Sequence, residues 1–261
     1  MFSNEPRCCY EKAQLAEVIC QFRFPEILTI ETELPARFQE AIRQELPVYS
    51  VRKESAPPVI TNQGGHFAIQ APKQNNNYQF ASADGIWRVN LTSKFISLAC
   101  TRYTCWEDFA AMLDKPLASF IQLYKPAFFE RIGLRYLNFF DRVALGLEEL
   151  PYRELFEAPY LGILSDENVS ENTIGRSTVD VECQVRGGCR LKLHAGPGMA
   201  KAPGLNEEKP RFILDIDLYI PGNVPVNLSA PTMQMLHSQA YSIFRGAITD
   251  TLHDAMEPRT I

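Results

Sequence analysis

Alternating apolar and polar positions predict that the first half of the chain forms an antiparallel sheet. Between Leu15 and Phe24 nearly every second residue is apolar, as in a strand buried on one side. Asp84-Gly85 and Ser93-Lys94 are short turn signals farther along the chain. Hairpins centred on them give the cross-strand pairs Ser82 with Trp87, Phe80 with Val89, Tyr78 with Leu91, Leu91 with Ile96, and Val89 with Leu98. Both hairpins place their apolar residues on one face, which is the test that a register must pass.

Two helices are predicted on either side of these hairpins in the sequence. The first covers residues 35–46 and the second follows an apolar stripe at helical intervals over residues 106–124. Thr104 and Glu107 have the spacing of a capping box at the start of the second helix. Pro116 lies inside the stripe and is expected to kink this helix or split it in two.

The second half of the chain shows the same order of elements. A strand over residues 129–140 is followed by Pro151, where a helix is expected to begin. The loop Arg186-Gly187-Gly188 joins two further strands and pairs Glu182 with Lys192 and Asp180 with His194. A third strand covers residues 211–220, and an amphipathic helix closes this half over residues 229–252.

This repetition predicts an internal duplication of a β-α-β-β-β-α unit. The copies are residues 1–125 and residues 126–261, packed together as one globular unit. Chance agreement between short motifs is the alternative explanation. The predicted fold class is α+β, an antiparallel sheet with helices on one face and a polar, uncovered face on the other. Joining the copies edge to edge removes one exposed edge from each.

The polar face holds the residues that we expect to bind a ligand or a partner. They are Arg23, Arg88, Arg131, Arg135, Lys192, His194, Asp215 and Asp217. Arg23 and Arg135 occupy equivalent positions in the two copies, and a pseudo-twofold axis is expected to bring them towards one groove for an acidic group. The competing interpretation is structural, because acids and bases alternate across the neighbouring strands and stabilise one another as cross-strand pairs.

Charge and hydropathy narrow the classes of partner. Twenty-six basic and thirty-one acidic residues give a net charge of −5, which argues against generic nucleic-acid binding. No apolar run approaches the roughly 18 residues of a membrane helix, so no membrane association is predicted. The polar N-terminus does not resemble a signal peptide, and we expect a cytoplasmic protein. A protein partner is expected, and a homo-oligomer is compatible with the sequence.

Catalytic signatures are missing from the sequence, so no catalytic residue and no cofactor is predicted. Seven scattered cysteines without a CxxC motif indicate reduced thiols. Cys8-Cys9 is interpreted as a fraying terminus, with a redox or metal role as the alternative. His237 and His253 are expected to be solvated on the last helix. Asp215-x-Asp217 with His194 offers a Mg²⁺ site as the alternative to structural charge pairing.

Several motifs together resemble a sporadically distributed bacterial family of uncharacterised proteins of about this length. They are Tyr10 through Val18, Tyr78-Gln79-Phe80, Asp84-Gly85-Ile86-Trp87, Phe95-Ile96-Ser97-Leu98, Tyr103-x-x-Trp106-x-x-Phe109 and Arg131-Ile132-Gly133-Leu134-Arg135-Tyr136-x-Asn138. The resemblance covers most of the first 140 residues. It implies accessory genes of mobile or defence loci, and it assigns no activity and no functional residue.

Two functions remain open on the sequence. The first is a non-enzymatic binding or assembly protein that uses the polar sheet face or an edge strand on a protein partner. The second is an enzyme or a sensor of nucleotides or other acidic ligands that uses the charged residues of the same face. A flat face of paired charges favours the first function. A pocket between the two halves with shifted pKa values favours the second.

Overall fold

The computed structural model describes residues 2–55, 59–63, 66–70, 74–201 and 207–260, of which 54–70 are described by their backbone alone. The strands are β1 (Cys8–Tyr10), β2 (Leu15–Arg23), β3 (Val48–Ser55), β4 (Val59–Gln63), β5 (His66–Gln70), β6 (Gln74–Ala81), β7 (Trp87–Leu91), β8 (Phe95–Cys100), β9 (Phe129–Phe140), β10 (Val179–Gln184), β11 (Arg190–Ala200), β12 (Lys209–Val224) and β13 (Pro258–Thr260). The α-helices are α1 (Leu28–Thr32), α2 (Ala36–Ile42), α3 (Trp106–Tyr124), α4 (Arg142–Leu145), α5 (Ser229–Arg245) and α6 (Asp250–Ala255).

Nine of these strands form one antiparallel sheet in the order β10-β11-β12-β9-β2-β8-β7-β6-β3. The first strands of the two halves, β2 and β9, pair at its centre. From there the order β2-β8-β7-β6 on one side matches β9-β12-β11-β10 on the other. Two copies joined edge to edge would have this topology, and common ancestry of the halves stays a prediction. The chain adds β3 at the outer edge of the first half.

The helices α3 and α5 lie on one face of the sheet and bury its apolar side chains, as the α+β prediction requires. Phe24, the residue directly after β2, contacts Phe120 of α3, with ring centroids 4.6 Å apart. Phe22 and Phe129 meet across the central strand pair at 5.1 Å. On the other half, the Tyr136 side chain of β9 reaches α5. Both halves therefore share one continuous core.

The predicted strand registers are confirmed. Phe80 lies opposite Val89, and Val89 lies opposite Leu98. In the second half, Glu182 lies opposite Lys192, as the three-residue glycine loop requires. These registers follow from local sequence because the turn chemistry and the apolar alternation select the same pairing.

Of the two outcomes expected at Pro116, a split of the helix is wrong, and a kink stays a prediction. The helix α3 runs without interruption through this residue. Proline removes a single N–H from the helix ladder, while Leu113, Pro116 and Phe120 are all buried against the rest of the protein. Burial of this stripe stabilises the continuous helix. Its start also differs, because the N-cap residue Cys105 makes no side-chain bond to the backbone of the helix, and the Thr104 hydroxyl donates to Asp108.

The helix expected at Pro151 is also absent. Three short 3₁₀ turns over residues 152–154, 158–160 and 162–165 replace it. Gly162 has a φ of +55°, in the left-handed region that interrupts a right-handed helix. The turns still bury apolar side chains, so an irregular segment fills the place of a helix.

The helix-free face of the first half is less exposed to solvent than predicted. Gln79 and Ser97 are buried although they point away from α3. The Gln79 amide donates to Asn90 Oδ1 at 3.0 Å, and the Asn90 amide donates to Ser97 Oγ at 3.2 Å. These bonds satisfy the polar atoms that burial removes from water. The Arg88–Glu17 pair and the exposed Arg23 keep part of this face charged in the first half, and the larger group of charged residues lies in the second half.

Candidate functional site

The charged residues of the second half form complementary pairs on the helix-free face. Arg131 donates two bonds of 2.8 Å to the Asp217 carboxylate. Arg135 donates to both oxygens of Asp215, from Nε to Oδ1 at 2.7 Å and from Nη2 to Oδ2 at 2.5 Å. The two-pronged bonds of Arg135 hold its guanidinium in one orientation, whereas both Arg131 bonds come from Nη2. The arginines are consequently engaged within the sheet and are not directed at a ligand.

The outer strands continue this pairing. His194 Nδ1 lies 2.7 Å from Asp180 Oδ1, and Lys192 Nζ lies 3.7 Å from Glu182. The His194 bond lowers the pKa of Asp180, with smaller contributions from nearby positive charge. The order of acids and bases across β10, β11 and β12 thus produces a face of matched charges, as the structural interpretation of the sequence proposed.

Arg131 is fixed by more than its carboxylate partner. Its Nη1 donates to Gln21 Oε1 at 3.3 Å, and its guanidinium carbon lies 4.4 Å from the centre of the Tyr219 ring. A Cβ atom on Gly133 would come within 2.8 Å of that carbon. Glycine at this position therefore leaves the space in which the guanidinium lies.

Arg23 and Arg135 do not share a groove, so that prediction is wrong. In the pairing of β2 with β9, Arg23 lies opposite Arg131 and Arg135 lies opposite Ile19. Arg131 and Arg135 are four residues apart on β9, so the backbone positions of Arg23 and Arg135 differ by about 13 Å along the strand direction. Of the remaining predicted site residues, Arg88 contacts Glu17 Oε1 at 3.3 Å.

The structure does not support a Mg²⁺ site at Asp215-x-Asp217, because arginine side chains bind both carboxylates. Both carboxylates accept bonds from Arg131 or Arg135, which leaves neither arranged around a cation. Throughout the part of the chain that the structure describes, no group of three or more His, Cys, Asp or Glu side chains is placed to hold a metal ion.

A second candidate site lies on the helical side, beneath residues 2–14, which we name the N-terminal strap. The prediction that Cys8-Cys9 frays is wrong, because these residues form β1 and pair with β13 near the C-terminus. Tyr10 Oη lies 2.8 Å from His253 Nδ1. Glu5 contacts the buried Arg245 at 2.6 Å. The two chain ends are thereby held together over α5.

The strap covers a cavity of about 100 Å³ at the junction of the two halves. The first half contributes the start of α3, and the second half contributes α5 and the end of β9. Its walls are mainly aromatic and aliphatic, with three thiols and a few polar groups, and include Arg7, Cys8, Cys9, Tyr103, Cys105, Trp106, Tyr136, Asn138, His237, Ala240, Tyr241 and Phe244. A small, largely apolar cavity with convergent polar groups is a common form of ligand site.

His237 is the polar centre of this cavity and is 5% exposed. Its ring stacks on Trp106 with centroids 4.4 Å apart and an interplanar angle of 4°. Arg7 Nη1 lies 2.8 Å from Nε2, and Tyr136 Oη lies 2.8 Å from Nδ1. Because a guanidinium has no acceptor, Nε2 accepts from Arg7 and the imidazole proton belongs on Nδ1.

The environment keeps His237 neutral. Burial lowers its pKa first and the neighbouring Arg7 charge lowers it further, to about 4. The expectation of a solvated histidine was wrong, because the strap, which is remote in sequence, covers this side of α5. Burial likewise raises the pKa of the Cys9 thiol, with Cys105 adding to the rise. Cys9 is therefore a protonated thiol and a poor nucleophile.

Sequence reasoning did not identify this cavity as a site. Arg7 and His237 are 230 positions apart, and no local pattern links them. Tyr103-x-x-Trp106 was visible only as part of the family resemblance, and Trp106 itself was assigned to the core stripe of a helix. The sequence offered one signal, Cys8-Cys9-Tyr10, because an aromatic residue and two thiols are unusual in a frayed chain end.

The two edges of the sheet differ in chemistry. At one edge β10 alternates half-buried apolar residues with exposed polar ones such as Asp180 and Glu182. At the other edge β3 exposes Val48, Tyr49 and Val51, at 51%, 43% and 42% of their full surface. Among the described residues, β6 is the one strand that pairs with β3. Exposed apolar edge strands readily pair with another chain.

No protein-family model, curated protein or solved structure matches this chain. Within the described ranges, no helix has the length and apolar character needed to cross a bilayer.

Proposed function

We propose that the protein is a binding or assembly protein that adds an extended segment of a partner protein to β3. The observation that carries this proposal is the exposure of three apolar side chains on β3, Tyr49 and Val51 on one face and Val48 on the other, at an edge that no described strand covers. Strand addition uses main-chain hydrogen bonds for affinity and side-chain contacts for specificity. Covering this edge also removes the hazard of uncontrolled aggregation.

The composition of β3 indicates the chemistry of the partner segment. Apolar residues of the partner would pack against Tyr49 and Val51, which lie beside Phe80 and Tyr78 of β6. Farther along the strand, Arg52 and Lys53 are exposed. Opposite charges across paired strands are stabilising. The proposed partner segment is therefore apolar at one end and acidic at the other.

The alternative of a sensor for acidic ligands on the sheet face has less support. Such a sensor needs arginines that are free to meet an anion, whereas Arg131 and Arg135 each donate to both carboxylate oxygens of an aspartate. Breaking such a pair leaves a partly buried carboxylate without its partner, which is costly. The paired charges thus support a structural role for this face.

A photocrosslinking amino acid at position 49 tests the proposed function in the organism that naturally produces the chain. Tyr49 is aromatic and 43% exposed, so a benzophenone side chain fits there without disturbing the core. Position 184, the exposed Gln184 of β10, is the matched control at the opposite edge. We expect covalent adducts with a different protein from position 49 and none from position 184.

The results that would contradict the proposal are equally specific. Equal adducts from both positions would show that β3 is not selective. Absence of adducts at position 49, or adducts with a second copy of this chain alone, would show that no partner segment pairs there. A melting temperature equal to that of the unmodified protein establishes that the crosslinking variants are folded.

A further inference from the structure

The N-terminal strap is held to the rest of the protein largely by polar contacts at the surface. None of residues 2–14 is fully buried. Two of its ion pairs, Arg7 with Glu107 and Glu5 with Arg245, involve a glutamate whose side chain is more than half exposed. Such pairs contribute little to stability. Since β1 adds three residue pairs with β13, the strap can leave the surface while the sheet and the long helices stay folded.

The contact between Arg7 and His237 requires a neutral imidazole. Arg7 Nη1 lies 2.8 Å from Nε2 of His237, and a guanidinium has donors but no acceptor. On the other side of the ring, Nδ1–H donates to Tyr136 Oη at 2.8 Å, and Tyr136 in turn is hydrogen-bonded to Tyr103. A proton added at Nε2 would therefore place a donor against a donor and a positive charge against a positive charge.

Of the two partners in this contact, His237 is the one held in place. Its ring stacks on Trp106 with centroids 4.4 Å apart, and 5% of its surface is exposed. Arg7 is less buried and belongs to the strap. Movement of Arg7 together with the strap is consequently the way in which the protein can relieve the conflict.

The charged groups around His237 oppose its protonation on balance. Burial and Arg7 lower its pKa, the Glu107 carboxylate of α3 raises it, and the result is about 4. The hydrogen bond from Arg7 lowers the pKa of Glu107, so this carboxylate stays charged in mild acid. The other titratable side chains that line the cavity are thiols and phenols, groups that are ordinarily uncharged in acid. They come from the strap, the segment before α3, β9 and α5: Cys8, Cys9, Tyr10, Tyr103, Cys105, Tyr136 and Tyr241.

We propose that the N-terminal strap is a pH-sensitive closure, in which protonation of His237 at Nε2 displaces Arg7 and residues 2–14 separate from α3 and α5. Separation uncovers the aromatic walls of the cavity at the junction of the two halves. The inference does not depend on the proposed function of β3, which lies at the outer edge of the first half.

Proton linkage sets the size and the direction of the effect. The docked form binds the His237 proton with a pKa of about 4, whereas a solvated histidine binds it with the ordinary value of 6.5. Docking is therefore unaffected above pH 6.5 and is weakened as the pH falls towards 4. The docking equilibrium changes by up to about 300-fold over this interval, because each pH unit contributes up to a factor of ten.

A second histidine contacts the strap and provides the matched control. His253 Nδ1 lies 2.8 Å from Tyr10 Oη. A hydroxyl both donates and accepts, so this hydrogen bond survives protonation of the ring. Acid should act through His237 and not through His253, although both residues hold the strap.

Nitrogen-15 NMR of the full chain between pH 7 and pH 4 tests the inference. We expect the heteronuclear NOE of the strap amides to fall from values typical of a rigid backbone to those of a flexible one. The fall should have the same midpoint as the titration of the His237 ring protons, between pH 4 and pH 6.5. Amides of β9 should keep rigid values throughout.

Three variants assign the cause. His237→Gln retains an acceptor for Arg7 and a donor for Tyr136 but does not titrate, so its strap should stay docked to at least about one pH unit below the wild-type midpoint. His253→Gln should release its strap within about 0.3 pH unit of wild type. Arg7→Gln removes the positive charge, and its amide oxygen can accept from a protonated ring. His237 should therefore titrate at a higher pH in this variant.

Several results would overturn the inference. If His237 titrates in wild type while the strap amides stay rigid, Arg7 alone moves. If wild type and His237→Gln release the strap at the same pH, the carboxylates of the ion pairs are the cause. A wild-type strap that is still docked at pH 4, or already flexible at pH 7, also contradicts it. Should His237→Gln fail to fold, an unchanged titration of His237 in Arg7→Gln would be decisive against it.

Discussion

Replacing Phe156 by alanine should lower the free energy of unfolding by about 3–5 kcal/mol, the usual range for a buried phenylalanine. Phe156 belongs to the irregular segment after Pro151 and is 1% exposed. Its ring stacks on Phe212 of β12 at a centroid distance of 3.8 Å and meets Phe140 edge-on at 5.0 Å. Truncation would leave a cavity between this segment and the sheet. Urea unfolding measures the loss.

The control for this variant lies in the same segment. Ile163 is 52% exposed, so Ile163→Ala should change the free energy of unfolding by less than about 0.5 kcal/mol. Equal stabilities for Phe156→Ala and wild type would mean that the irregular segment does not pack on the sheet. In that case the role that we assign to it, replacing a helix in the second half, would be incorrect.

Acidification should lower the free energy of unfolding by about 3 kcal/mol through the titration of His237 alone. The folded-state pKa of about 4 lies below the ordinary value of 6.5, so the unfolded chain binds this proton first. The stabilisation is fully present above pH 6.5 and is lost progressively as the pH falls towards 4. Each unit of pKa difference corresponds to about 1.4 kcal/mol. Below pH 4 both states are protonated and this contribution stays constant.

Carboxylates also titrate in this range, so a variant must isolate the histidine. His237→Gln retains an acceptor for Arg7 and a donor for Tyr136 but has no titrating group. We expect it to be less stable than wild type at pH 7, because it loses the stacking on Trp106. Its stability should fall less steeply between pH 6.5 and pH 4. Parallel curves for the two proteins in urea unfolding would contradict a buried, neutral His237.

The sheet was predictable because local chemistry determines it. Asp84-Gly85 places two strands side by side, and the alternation of apolar residues leaves one register that buries them together. The same reasoning placed Glu182 beside Lys192. The alternation of acidic and basic residues across the strands of the second half indicated that these charges pair with one another. The Arg131–Asp217 and Arg135–Asp215 bonds are such pairs.

Elements that depend on distant contacts were not predictable. Pro116 breaks an isolated helix, but its burial within the α3 stripe overrides that local preference. Cys8-Cys9 has no stabilising neighbour nearby in sequence and becomes ordered through β13, at the other end of the chain. The burial of His237 depends on Arg7 in the same way. Local periodicity carries no information about such pairings.

The exposure of β3 also could not be derived from its sequence. Val48, Tyr49 and Val51 are typical strand residues, and nothing local distinguishes an edge strand from a buried one. Only the strand order shows that β3 ends the sheet, with β6 as its described neighbour. The binding role that we propose for this edge therefore depends on topology.

Amide hydrogen exchange of β3, measured on the free chain and on the complex purified from its natural source, is the most direct test of strand addition. In an antiparallel pair, alternate N–H groups of β3 bond to β6 and the others point outward. Residues 48–53 should exchange markedly more slowly in the complex, while β10 should exchange at the same rate in both samples. Unchanged exchange of β3 in the complex would contradict the proposal that a partner strand pairs with this edge.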